Sequence, residues 1–286
     1  MLTEFSHILR RNRVQILAWG IGLAVLGGYL LSFSETFIGA EQQATLQQLF
    51  EIYPEELMAF FGDMDQMFTP SGFLHIEFFS YMPIILGIYA ILAGSGLLVG
   101  DEENGILDLI LSYPVSRSAL FWGRMLAFLL CNVLISFIIW AGFSLVIPST
   151  ELGITPGEMV MPMLSLFSVL VFFGTFSVLL SMFLPSRRMA ALLTGVLMVA
   201  SFFITGLSSV DERLESIARF SPLNYYQGGE ALNQLNWEWV LGLAGISVLF
   251  ILLSWLGFIR RDIRVGGEGG WSLPKLSRRN QEIVRE

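Results

Sequence analysis

Few side chains in this sequence could do chemistry, and most of them lack the partner that the chemistry needs. Ser95 lies in AGSGLL, which faintly resembles the surroundings of an intramembrane serine nucleophile. The glycine of a Gly-x-Ser-Gly spacing is replaced by Ala93, and His75 is the only histidine near a membrane segment. Residues 94–96 therefore read as small residues for close helix packing. A phosphate-cradling Walker A loop needs a lysine after its second glycine. The one lysine is Lys275, in LPKLS, so the chain does not bind ATP in that way. His7 and His75 fall on opposite sides of the hydrophobic spans, and Cys131 is the single cysteine. That excludes an internal disulfide and disfavours a His/Cys metal site, leaving only carboxylates of the outer loops as possible ligands. The remaining polar concentration is GDEENGILDLILSYPVSR, residues 100–117, in which Asp101, Glu102 and Glu103 stand in a row.

The elements around this patch are oily. The chain has 286 residues, 54% hydrophobic and 14% charged, and its charges fall in blocks between long uncharged stretches. A bilayer core needs about 20 apolar residues in a helix. Six stretches qualify, at about 14–33, 78–99, 121–147, 160–184, 189–208 and 239–259. The fold class is therefore all-α: a single polytopic membrane domain over 1–286. The first stretch has a basic front and a long apolar run followed by SFSETFIGA, a poor cleavage site, so it reads as a retained span rather than a signal peptide. Basic residues give the orientation. With six spans, 14 of the 16 Lys and Arg fall on one side, and only Arg213 and Arg219 on the other. Both termini are then cytoplasmic, in a cell membrane. The net charge of −8 belongs to the outer connections. No basic stripe with interleaved aromatics points to nucleic acid.

Residues 1–13 place Leu2, Phe5, Ile8 and Leu9 at helical spacing, which predicts an interfacial helix on the inner leaflet. The outer loop at about 34–77 has eight acids and no Lys or Arg. Its Leu46, Leu49, Phe50, Leu57, Met58, Phe60 and Phe61 form a greasy face, for packing on the spans, for a lid or for a second copy. Between the last two spans, FSPLNYYQGGEAL predicts short helices broken at Ser221–Pro222 that dip into the outer interface, with Tyr225 and Tyr226 as gate residues. Residues 260–286 read as a mobile cytoplasmic tail. No ionisable residue stands near mid-membrane, so the chain has no evident means of driving transport by itself. Ser95, Asn132, Ser136 and Thr205 are the polar residues assigned to a path, which suits an amphipathic or lipid-like cargo better than a bare ion.

Within the patch, Asn104–Gly105 is a turn signal, Leu107 and Leu111 lie on an apolar helix, and Tyr113–Pro114 ends it. Ser116 or Ser118 caps the third span. Three acids on the basic side call for a partner that supplies cations. Acids, then Gly105, Leu107, Leu111, Pro114, Val115, Ser116 and Arg117 resemble the cytoplasmic signature of permease subunits of type-2 ABC exporters, with Ile106 where the family usually has threonine. FSPLNYYQGGEAL is similar to the Ser-Pro-aromatic stretch of that family. The resemblance implies a homodimer, or a pair with a sister permease, served by cytosolic P-loop ATPase subunits. ATP and its Mg would bind to the ATPase, and this chain would carry no cofactor and no enzyme activity. The segment 101–117 would be the coupling element, its acids docking to a basic ATPase groove and Arg117 making a second polar contact. A different class of reading stays open: a non-transporting assembly factor or sensor whose outer loops bind a partner.

Overall fold

The computed structural model describes residues 2–38, 68–208 and 211–261, all of them in helices, turns and short connections. The apolar face expected within 34–77 and the tail beyond residue 261 lie outside the described residues. The first helix, α1 (Leu2–Ile38), is continuous for 37 residues. The interfacial helix expected over 1–13 is therefore not a separate element. Arg10, Arg11, Asn12 and Arg13 are polar but helix-compatible, and neither proline nor glycine stands before Gly20 to break the backbone. At 1.5 Å per residue α1 is about 55 Å long, more than a bilayer core requires.

The second span is broken rather than one helix over 78–99. Its pieces are α2 (Pro70–Leu74), a π-turn (His75–Phe79) and α3 (Met82–Ser95), with a bend of 42° between the first two and α3. Pro83 sits at the bend and supplies no backbone donor. After a turn at 96–98 the chain re-forms a single helical turn, α4 (Val99–Glu103), and then α5 (Leu107–Leu111). The other spans run near their expected limits as α6 (Arg117–Val146), α7 (Val160–Phe183), α8 (Arg187–Leu207) and α10 (Trp237–Arg260). Among the described residues, five helices are long and apolar enough to cross a membrane, and the bent pair makes six. Between α8 and α10 lie α9 (Glu212–Ala218) and two 3-10 turns, Pro222–Tyr225 and Gly228–Leu232.

Caps fix the ends. Ser116 accepts from the Ala119 N–H at the start of α6, Ser186 from Met189 at α8, and Asn236 from Glu238 and Trp239 at α10. Small residues set the contacts. α1 and α6 meet where a side chain at Gly20, Gly27 or Gly142 would strike Ile138, Phe143 or Ala24. α3 crosses α7 with Gly94 against the backbone of Gly174. Backbones approach this closely in membranes because packing, not exclusion of water, holds helices together there. The most enclosed helix is α7, 72% buried, against 22% for α8 and α10. The bundle is thus centred on α7, with α3, α6, α8 and α10 around it and α1 on the far side of α6.

Candidate functional site

One helical turn gathers charges from the whole end of the bundle that holds the described N-terminal residues and the end of α10. Asp101 of α4 binds Arg124 of α6 at 2.8 Å through one oxygen and Arg11 of α1 at 3.3 Å through the other. Glu102 binds Arg261, which follows α10 and whose guanidinium also donates to the Met182 carbonyl at the end of α7 (3.1 Å). Glu103 accepts from Arg187 twice, from its side chain (3.3 Å) and from its backbone N–H (2.8 Å). That backbone donor is the first of α8, where an anion also meets the favourable end of the helix dipole.

All three acids are thus paired within the described residues. Asp101 and Glu102 are 7% and 4% exposed. Cations that meet them stand in this chain, on α1, α6, α8 and beside α10. The reason is desolvation, because a buried carboxylate is tolerated only when paired. Arg124, 1% exposed and two turns into α6, is the hub. It also donates to the Leu97 carbonyl (3.0 Å) and faces Glu4 at 3.6 Å.

The turn after α4 follows the glycine expectation. Gly105 has φ +68, its N–H bonds to the Glu102 carbonyl, and the Ile106 N–H reaches back to Asp101. This pair of bonds is a Schellman stop, which requires a left-handed residue. It reverses the chain so that α5 lies against the bundle end. Leu107 is buried with Leu97, Leu98, Phe121 and Phe258, and Leu111 and Val115 pack against the same cluster. The outward face of α5 is different: Ile106, Leu109 and Tyr113 are 45%, 66% and 70% exposed. Pro114 leads out of α5 and Ser116 caps α6. Arg117 also turns inward and donates to the carbonyls of Arg261 (2.6 Å) and Ile259 (3.3 Å), closing the end of α10. Ser118 accepts from the Trp255 indole at 2.7 Å rather than capping.

The residues expected to form a gate lie in a hydrogen-bonded plug around two 3-10 turns. Ser221 is buried and bonded to Ser201 and to Thr205 (2.8 Å), while Pro222 starts the first 3-10 turn. The Tyr225 hydroxyl donates to the Arg219 carbonyl, and Tyr226 donates to the Phe79 carbonyl at 2.9 Å. Gly228, with φ +51, and Gly229 press against His75, whose Nδ1 accepts from the Gly229 N–H at 3.2 Å. Asn233 reaches Ser71 at 3.1 Å. The plug therefore stands on residues 70–79, a pairing across some 150 residues of sequence that hydropathy does not reveal.

The four path residues do not come together. Thr205 belongs with the plug, through its bond to Ser221. Asn132 and Ser136 lie one turn apart, buried in α6, with the Asn132 Oδ1 and Ser136 Oγ atoms lacking partners among the described residues. Ser95 lines a cavity of about 720 Å³ between α1, α3, α4, α6 and α8. Most of the other membrane hydroxyls bond carbonyls of their own helix, as Thr175 does to Val171 and Thr194 to Ala190. Ser177 is an exception and reaches Ile91 on α3. No curated protein compared with the chain matches it. A family model described as "ABC-2 family transporter protein" matches residues 3–263.

Proposed function

This chain belongs to the ABC-2 family of transporter proteins, and on that premise we propose that it moves an amphipathic cargo outward using ATP hydrolysed by a separate subunit. It is the permease component of an ABC transporter and crosses the membrane several times. In the proposed arrangement both termini are cytoplasmic, a second permease completes the complex, and ATP with Mg is held by the cytosolic ATPase.

The observation that carries this reading is the division of labour between α4 and α5. The exposed face of α5, Ile106, Leu109 and Tyr113, is the surface offered to the ATPase. The carboxylates of α4 then pass its movement to the bundle, because each is tied to a different span. Gly105 and Pro114 shape the segment, and Arg117 anchors it to α10. A push on α5 is transmitted rather than absorbed, since the helix is short, braced by Leu107 and joined to α6 by only residues 112–116. The reading as a non-transporting module draws its support from the apolar face within residues 34–77, and that face (residues 46–61) lies outside the described residues.

Co-purification tests the proposal. The detergent-extracted chain brings a P-loop ATPase with it, and L109D releases that ATPase. Undiminished recovery of the ATPase with L109D, or of function after deletion of the ATPase, contradicts it.

A further inference from the structure

We propose that the cavity between α1, α3 and α8 receives one anionic amphiphile, its phosphate or carboxylate held by Arg188, Arg11 and Arg187. The lining is divided along its length. At the end beside α4 it presents those three guanidiniums and one carboxylate, Asp101. Asp101 is already neutralised by Arg124 and Arg11. Arg11 and Arg187 each commit a single side-chain nitrogen to an acid, and their side chains are 45% and 46% exposed. Arg188 is exposed and has no ion pair among the described residues. Planar guanidiniums bind phosphate and carboxylate through paired donors, and three arginines line this one cavity.

Further in, aromatic and apolar side chains stand beside Asn12, Gln15 and Ser95. Trp19 and Tyr89 meet with ring centroids 6.4 Å apart, and Leu92 and Phe128 continue the wall. The Tyr89 hydroxyl is buried, with no oxygen or nitrogen partner among the described residues and the Cys131 thiol as its polar neighbour. Glycines keep the floor open, for an added side chain at Gly96 or Gly100 would lie against the Arg187 guanidinium, at 3.6 or 3.5 Å. The volume is within the range of roughly 300–1,000 Å³ typical of small-molecule sites. A charged mouth above an apolar interior fits a charged head carrying a chain, and leaves a free inorganic anion without the second half of the site.

The inference relies on the permease reading only for the fate of the ligand, so its test omits the ATPase. The purified full-length chain is titrated with a single-chain, phosphate-headed lipid whose acyl chain carries bromine, which quenches indole on contact. The Trp19 signal is the difference between the wild type and W19F. The same brominated chain with a phosphocholine head is the second arm, and millimolar inorganic phosphate is the competitor. The phosphate-headed lipid quenches Trp19 at a concentration about tenfold lower than the zwitterionic one, and R188E removes that advantage, as expected for a few charge contacts near a membrane surface. Arg188 is an exposed side chain, so R188E retains the wild-type melting temperature. Inorganic phosphate does not displace the lipid. Equal quenching by the two heads, an unchanged titration with R188E, or displacement by inorganic phosphate overturns the proposal. None of these results bears on whether the ATPase co-purifies, so the two readings fail separately.

Discussion

Removal of the Arg124 side chain probes the ionic hub at its centre. R124A leaves Asp101, 7% exposed, with only the half-exposed Arg11 at 3.3 Å. It also strips the Leu97 carbonyl of its donor and Glu4 of its nearest cation. Breaking a buried ion pair by deleting one partner costs about 3–5 kcal/mol, because the other charge stays desolvated. At roughly 2–4 °C per kcal/mol for a chain of this size, the melting temperature falls by about 6–20 °C. R124K recovers part of the loss, since an ammonium keeps the charge but cannot serve the carboxylate and the carbonyl in the same fork geometry. The double variant R124M/D101N removes both charges and is less destabilised than R124A, with a coupling of about 3 kcal/mol in the mutant cycle. Thermal unfolding in detergent, followed by tryptophan fluorescence, measures these proteins together with the wild type and the single variants R124M and D101N that complete the cycle. A melting temperature for R124A within about 2 °C of wild type, or strictly additive effects in the cycle, refutes the hub, given the expected shift.

Other predictions address separate contacts. R117A removes two hydrogen bonds at the end of α10, worth about 1 kcal/mol each, so amide exchange over 255–261 accelerates by about tenfold or more while that in α7 is unchanged. G94V forces a branched side chain into the Gly174 backbone, and it shows as loss of monodisperse protein on size-exclusion chromatography. S221A removes the Ser221 hydroxyl bonds to Ser201 and Thr205 that help hold the plug to α8, and limited proteolysis then cuts the 219–236 connection faster than in wild type.

What was legible in the sequence follows the range of the interactions that decide it. The spans 160–184, 189–208 and 239–259 are written locally: an apolar run, a Ser or Asn cap before two of them, and Pro185 after the first. The Gly105 turn and the Ser116 cap are local as well. The second span misleads, because hydropathy is uninterrupted through Pro83 and Gly96 although the backbone bends at one and turns at the other. The interfacial helix fails for the opposite reason, as a change in polarity does not break a helix. The acids of α4 find partners at Arg11, Arg124, Arg187 and Arg261, scattered over 250 residues, so local pattern could not pair them. Their shared side of the membrane was nonetheless visible. With 14 basic residues assigned there, cations from this chain were available before any partner was needed. The cavity was beyond sequence, since Trp19, Ser95 and Arg188 meet only after α1 and α8 have packed.

The central claim is that α5 binds the ATPase and α4 transmits its movement. Recovery and activity of the ATPase, measured together on complexes purified with L109D or D101N, test it most directly. The account predicts that L109D loses the ATPase, whereas D101N retains it but uncouples ATP hydrolysis from cargo movement. Release of the ATPase by D101N with full retention by L109D contradicts the account, because the acids rather than the α5 face would then be the docking surface.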